Sequence, residues 1–332
     1  MLRVGVERLK VVEKKNTILV TGSSGYVASE LIPLLSNSFF VFGVDKCPSM
    51  LTNTLIDISS SNFRSLVNQM PSEGVSIINL AAARFDFGAK AKDYYWLNVE
   101  CHKNFLKSLN GLRVTKFIHV SSVAALDGRN ISYSDDLNCD DAYRATKYLQ
   151  EVVIKKWCDM NNVELIILYP SAIFSNDPRS NTNIGKLQSI SKYIPFIPKI
   201  NVIKSLTYLP TFSEFIVDLV AGEISTGNYL TIEKPSLTVS KMIQLLSGRS
   251  IKLVNIPFLS IILQILANLL HILGCFGRID LKLTPNRVVK LFSDTSYSIV
   301  KCEGIDTETY TARNREQLSE ILAQYNKEKV NE

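Results

Sequence analysis

Residues 17–28 read TILVTGSSGYVA. The run Thr17–Val20 has the apolar, β-branched character of a buried strand. The turn Thr21–Gly25 ends it, and an apolar helix follows through about Leu35. Gly22 permits a tight turn, Gly25 lets the backbone approach a ligand closely, and the small Ala28 allows close helix–strand packing. A strand that turns through glycines into a helix directs N–H donors and the positive end of the helix dipole at one spot. That spot suits the pyrophosphate of a dinucleotide.

The same alternation continues outward. Phe39–Asp45, Leu55–Ile58, Val75–Leu80, Phe117–Ser121 and Val163–Tyr169 read as strands; helices are predicted from Ile58 to Met70, over Ala89–Leu109 and over Ala142–Met160. Nearly continuous apolar strands alternating with helices predict a parallel sheet covered on both faces, a doubly wound α/β fold. After Pro170 the elements shorten: a strand at Val202–Tyr208, a helix at Phe212–Gly222, a strand at Gly227–Ile232 and a helix at Val239–Leu246. We therefore expect an N-terminal extension (1–16), a dinucleotide-binding domain (17–175) and a smaller C-terminal α/β substrate-capping lobe (176–332). Elements around 202–222 are expected to return to the main sheet.

Asp45 ends the second predicted strand, 23 residues after Gly22. A carboxylate there accepts hydrogen bonds from an adenosine ribose and repels a 2′-phosphate, which favours NAD(H) over NADP(H). Lys46 is the opposing signal, a basic residue able to hold that phosphate.

The chain has 332 residues, 46% hydrophobic and 20% charged, enough for one large core and a smaller lobe. The net charge of +6 is spread without a basic block, so we expect no nucleic-acid partner. Six cysteines (Cys47, Cys101, Cys139, Cys158, Cys275, Cys302) are scattered, apart from one another and from the three histidines. That pattern predicts reduced thiols, no structural metal and a cytoplasmic protein. MLRVGVERLKVVEKKN, residues 1–16, lacks the apolar core of a signal peptide. Residues 256–276 (IPFLSIILQILANLLHILGCF) carry Ser260, Gln264, Asn268 and His271 on one helical face. They predict a half-buried helix of the capping lobe; a membrane-surface or dimer contact is the other reading.

Tyr143 and Lys147 lie one helical turn apart in YRATK. Tyrosine is a poor base at its ordinary pKa of about 10. An adjacent ammonium favours the phenolate and fits the pair to exchange a proton while a nicotinamide exchanges hydride. Ser121 and Ser122 end a predicted strand at the sheet edge where ligands bind in such folds, within reach of the same reacting oxygen.

TGSSGYVA, NLAA (79–82), LNVE (97–100), FIHVSS (117–122), YRATK (143–147) and LYPSAIF (168–174) occur in that order. As a set they resemble the extended short-chain dehydrogenase/reductase superfamily, in its NAD-dependent epimerase/dehydratase branch, over about residues 17–235. The resemblance implies a Rossmann-type fold and a catalytic triad of Ser122, Tyr143 and Lys147. It implies a cofactor held by Gly22, Ser24, Gly25, Tyr26, Val27, Asp45 and Lys46, with Asp57 and Ile58 beside the adenine. Leu80, Ala81, Ala82, Asn98, Pro170 and Ile173 complete that set together with Tyr143 and Lys147. Three positions depart from the family pattern: Tyr169 replaces an Arg, AALDG replaces a V-Y-G loop, and Thr211 replaces an Asp. These set the chain apart from a simple UDP-galactose epimerase. SSVAALDG, KSLTYLP (204–210) and LTPNRVVKLF (283–292) resemble segments of surface-polysaccharide enzymes. The expected activity is an epimerase or 4-ketoreductase acting on a nucleoside-diphosphate sugar. Ala83 and Ser122 would touch the sugar, and Lys204 or Arg287 its diphosphate. A hydroxysteroid or other lipid-like alcohol is the alternative substrate, and a non-catalytic nicotinamide sensor the third reading. Relatives of this kind pair through the two long helices, which implies a homodimer.

Overall fold

The computed structural model describes residues 16–71, 74–82, 89–175, 193–225, 227–233, 236–247, 251–277, 285–298 and 307–309, with residues 185, 187, 189 and 191 between them. The main sheet has eight strands: β1 (Thr17–Thr21), β2 (Phe40–Asp45), β3 (Thr54–Leu55), β4 (Val75–Asn79), β5 (Val114–Val120), β6 (Glu164–Pro170), β11 (Asn228–Thr231) and β14 (Thr307–Thr309). Their order is β14-β11-β6-β5-β4-β1-β2-β3, and every pairing is parallel. The chain runs outward from β1 in both directions, so the order reverses between β1 and β4 and leaves a crevice at their C-terminal ends.

Helices cover both faces. One face buries α1 (Tyr26–Ser36) and α7 (Leu209–Ala221) against Ile18, Val20, Ile78, Ile118 and Ile166. The other buries α2 (Phe63–Val67), α4 (Cys101–Ser108) and α6 (Cys139–Asn161) against Leu19, Val44, Ile77 and Phe117. Each fully buried large apolar side chain stabilises the fold by roughly 1.5–3 kcal/mol. This is the doubly wound α/β architecture that the strand–helix alternation predicts.

Two elements differ from expectation in ways that shape the site. The helix expected over Ala89–Leu109 is α3 (Ala91–Tyr95), a π turn (Trp96–Glu100) and then α4. The wider π turn slips the 3.6-residue period, and Asn98 within it donates to the Thr146 hydroxyl on α6 at 3.1 Å. A short helix, α5 (Val123–Gly128), follows β5 where a loop is expected. Ser122 caps it by accepting from the Ala124 N–H at 3.2 Å. Gly128 lets α5 lie directly on α6, because a Cβ there would stand 2.1 Å from the Arg144 carbonyl oxygen.

The smaller lobe is built from short pairs. β7 (Ala172–Phe174) pairs with β10 (Leu206–Tyr208), β9 (Ile203–Lys204) with β12 (Leu237–Thr238), and β8 (Ile197–Pro198) with β13 (Leu253–Val254). The strand expected over Val202–Tyr208 breaks at Ser205, whose N–H goes to the Thr295 carbonyl at 3.1 Å. α8 (Val239–Ser247), α9 (Leu259–Gly277) and α10 (Pro285–Phe292) complete the described part of the lobe. Among the described residues no helix is long and apolar enough to cross a membrane.

Candidate active site

The crevice at the ends of β1, β2 and β4 holds a pocket of about 270 Å³. It gathers Gly22, Ser24, Gly25, Asp45, Lys46, Asp57, Ile58, Leu80, Ala81 and Ala82, all expected from the sequence. Ile56, Leu97, Cys101 and His102 line it too; sequence reasoning missed them because they sit on apolar periodic positions that read as core.

Gly22 adopts φ +79, and a Cβ there would stand 2.9 Å from the Ala81 nitrogen and 3.0 Å from the Leu80 carbonyl carbon. The loop is pinned by Gly22 and Ser23 N–H groups on the Val44 carbonyl, at 2.9 and 3.2 Å. Asp45 accepts from the Ser24 N–H at 3.0 Å and the Ser24 hydroxyl at 2.8 Å, while its other oxygen accepts from the Cys47 N–H at 2.9 Å. A side-chain-free turn against β4, a carboxylate beside it and an apolar floor at Ile56 and Ile58 together fit an adenosine diphosphate moiety. Replacing Asp45 by Ser should lower the preference for NAD over NADP by about tenfold or more, since a charged hydrogen bond contributes ~1.5–3 kcal/mol. Titration with both dinucleotides measures it; an unchanged ratio removes Asp45 as the selector.

Other expected cofactor residues lie around the pocket. Tyr26 opens α1 and donates to the Ser175 hydroxyl at 2.7 Å, while Val27 packs on the main core. Pro170 ends β6, and Ile173 sits on β7 against that core. Asn98 is fully buried and reaches Thr146, so it locks the π turn to α6. Ala83 lies outside the described residues, as does the side chain of Arg287 on α10. Lys204 donates to the Ser293 carbonyl at 2.5 Å, and burial pushes its pKa down. That contact fastens residue 293 to β9.

The candidate acid–base side chains, Tyr143 and Lys147, lie on α6. Asn138 caps this helix by accepting from the Asp140 and Asp141 N–H groups, each at 3.0 Å, and the two carboxylates complement the helix dipole. Tyr143 is half-buried, edge-on to Tyr94 with ring centroids 6.0 Å apart. Lys147, one turn on, is only 1% exposed and donates to Gln150 Oε1 at 2.7 Å. Gln150 Nε2 in turn lies 2.8 Å from His102 Nε2 and 3.3 Å from the Ala81 carbonyl oxygen. With His102 Nδ1 3.1 Å from the Leu97 carbonyl oxygen, the bonding pattern assigns the proton to Nδ1 and the acceptor role to Nε2. Burial, helped by the Lys147 charge, drops the His102 pKa to about 4, so this imidazole stays neutral at working pH.

Sequence reading also missed Glu151, although 143, 147 and 151 repeat at one-turn spacing. Glu151 is buried and accepts from the hydroxyls of Ser121 and Tyr169, the latter at 3.1 Å. It therefore binds α6 to the ends of both β5 and β6. Tyr169, the departure from the family's Arg, has this carboxylate as its partner. Ser121 is committed to Glu151, which leaves half-buried Ser122 as the serine at the sheet edge. His119 is core: its Nδ1 lies 3.1 Å from Asn79 Nδ2, and burial holds its pKa well below the usual range.

Burial lowers the Lys147 pKa to about 8, and the Glu151 charge opposes that fall. The lysine is thus cationic below pH 8 and supports a phenolate at Tyr143. Replacing Glu151 by Gln removes the opposing charge, so the Lys147 pKa should fall further. The alkaline limb of the kcat/KM profile should then move to lower pH, with ~3 kcal/mol of stability lost for breaking a buried pair. A pH–rate profile and denaturant melts check both; an unmoved limb separates Glu151 from Lys147.

A glycine-turn dinucleotide crevice with half-buried Tyr143 and buried Lys147 beside it defines an extended short-chain dehydrogenase/reductase enzyme. Residues 18–194 match the NAD dependent epimerase/dehydratase family. N-acetyl-α-D-glucosaminyl-diphospho-ditrans,octacis-undecaprenol 4-epimerase of Escherichia coli O157:H7 is 26% identical over 237 residues, which span 69% of this chain and 70% of that one. The fold superposes on the UDP-N-acetylglucosamine 4-epimerase of Methanobrevibacter ruminantium in complex with UDP-N-acetylmuramic acid (TM-score 0.64, 16% identity, 96% of this chain and 99% of that chain). It also superposes on the UDP-glucuronic acid 4-epimerase of Bacillus cereus in complex with NAD (TM-score 0.58, 18% identity, 72% and 86%). The chain belongs to the NAD dependent epimerase/dehydratase family and is an NAD(P)-binding enzyme.

Proposed function

We propose that this enzyme epimerises C4 of a hexose carried on a diphosphate, in the cytoplasm, as a step in surface polysaccharide synthesis. The carrying observation is Lys147, a buried cation one turn from Tyr143 and beside a dinucleotide crevice. The curated relative and the two structural neighbours described above, 4-epimerases of diphosphate-linked sugars by name, support the reading. When bound, the dinucleotide supplies a hydride acceptor and donor at its nicotinamide. Tyr143 as phenolate takes the proton of the sugar hydroxyl as the C4–H bond gives up its hydride and the carbonyl forms. Lys147 stabilises the phenolate, and Ser122 holds the reacting oxygen. Return of hydride to the opposite face, with the proton given back by Tyr143, restores the alcohol with inverted configuration and no net oxidation.

The test offers the purified protein UDP-N-acetylglucosamine and polyprenyl-diphospho-N-acetylglucosamine without added cofactor. Inversion at C4 on either carrier, with NAD co-purifying, is the expected result. Turnover only with added NAD(P)H would make the enzyme a reductase, and silence on both carriers would overturn the reading. Exposed Val152 and Met160 on α6 and Trp96 on the π turn support a homodimer through these helices.

A further inference from the structure

The lobe beyond residue 175 carries an apolar surface for which the dinucleotide chemistry has no use. On α9, Ile261, Ile262, Ile265, Leu266 and Leu269 are 43–55% exposed. They recur at i, i+1, i+4, i+5 and i+8, which sets them on one face of the helix. The opposite face is anchored: Ala267 is fully buried and Leu259 packs into the lobe core with Ile197, Val239 and Ile243. A soluble chain rarely leaves five large aliphatic side chains contiguous in water.

The surroundings of that face say what covers it. Phe258, just before α9, holds φ +57, a costly conformation for a bulky residue, with its side chain 74% exposed. Leu253 on β13 pairs with Ile197 on β8, a strand preceded directly by exposed Tyr193 and Phe196. Exposed aromatic rings carried on the segments that lead into an aliphatic helix face suit a membrane–water interface. The same paired segments carry exposed Lys199 and Lys252, fixed by Lys199 N–H to the Val254 carbonyl at 2.8 Å and Ile197 N–H to the Lys252 carbonyl at 3.0 Å.

Charge is partitioned along the chain in the same sense. Residues 17–175 hold 14 Lys and Arg against 15 Asp and Glu; residues 176–298 hold 13 against 7. Two stretches, 178–213 and 234–279, contain five basic residues each and no acidic one. Of these, Lys199, Lys204, Lys241 and Lys252 lie among the described residues, and Lys199, Lys241 and Lys252 are exposed. An anionic lipid surface satisfies the aliphatic stripe, the aromatic rim and the cations at once.

We propose that the α9 face with its Tyr193–Phe196–Phe258 rim seats the enzyme on an anionic bilayer, where it meets a sugar carried on a polyprenyl diphosphate. The substrate half rests on the diphosphate-sugar reading above; the bilayer half does not. The helix lies in the interface rather than spanning it, consistent with the absence of a membrane-crossing helix among the described residues.

The test floats full-length protein with vesicles of phosphatidylcholine alone and of equal parts phosphatidylcholine and phosphatidylglycerol. Wild type should float with the anionic vesicles, less with the neutral ones, and less as salt rises. An Ile262→Ser/Ile265→Ser variant should bind them at least ~tenfold more weakly, since two aliphatic side chains are lost from the buried face. A Lys199→Glu/Lys252→Glu variant should lose the preference for anionic lipid. Both variants should keep wild-type NAD affinity, which shows that they are folded. Wild type that floats with neither vesicle overturns the proposal, as do variants that float like wild type. A double-isoleucine variant whose only change is dimer to monomer also overturns it and makes the face a contact between copies. Flotation without turnover on any diphosphate-sugar would leave the bilayer surface standing and remove the function. Turnover of the polyprenyl-linked sugar in detergent by a protein that never floats would do the reverse.

Discussion

Tyr143→Phe should abolish turnover, by about 10²–10⁴-fold, while leaving dinucleotide affinity unchanged. The phenolic oxygen is the group placed to exchange a proton with the substrate, and its removal deletes that exchange without emptying any packing site. The ring remains edge-on to Tyr94 and within the small cluster with Ala91, Tyr94 and Ala142, so stability should change by less than about 1 kcal/mol. The informative comparison is kcat against NAD affinity in the same preparation. A variant with near-normal kcat would remove Tyr143 from the chemistry and leave the fold as a binding scaffold.

Gly22→Val should have the second largest effect, and of a different kind. Its φ of +79 is hostile to a β-branched residue, and the added Cβ meets backbone of Ala81 and Leu80, which cannot swing away. Strain and overpacking together cost ~3 kcal/mol. Relief requires the β1 turn to part from β4, and that parting disrupts the bed for the pyrophosphate. The expected outcome is a lowered Tm and a dinucleotide affinity reduced at least tenfold, or ~1.4 kcal/mol. Calorimetric titration and a thermal melt measure both. A variant that binds NAD as tightly as wild type would show that the turn is not the pyrophosphate cradle.

The first half of the chain was legible because local and global signals agree there. TILVTGSSGYVA holds strand, turn and helix within twelve residues, and Asp45 needed only the second strand's end to be placed. Glu151 was harder. In the linear sequence it is one more acidic residue on a polar helix, and only the fold shows Ser121 and Tyr169 converging on it from two strands. His102 and Gln150 were hidden for the same reason: their pairing joins positions 48 residues apart. The π turn escaped because one residue of slip in a helical period leaves the apolar pattern almost unchanged. Beyond Pro170 every described strand except the four-residue β11 is two or three residues long, too short for a period-2 pattern to register. Lys204 shows the consequence. Its contact with the carbonyl of Ser293, 89 residues downstream, has no trace in the local pattern.

Gly128 constrains more than its own conformation. Only a hydrogen fits between α5 and the Arg144 carbonyl, and Arg144 follows Tyr143 directly. A methyl group at 128 would push on the turn of α6 that carries the acid–base residue, far from any contact with ligand. Gly222, by contrast, has nothing within 4 Å of where a side chain would begin, and only its φ of +81 resists replacement. Across descendants of a common ancestor, position 222 should therefore drift to asparagine, while position 128 should remain frozen in every lineage that still turns over substrate.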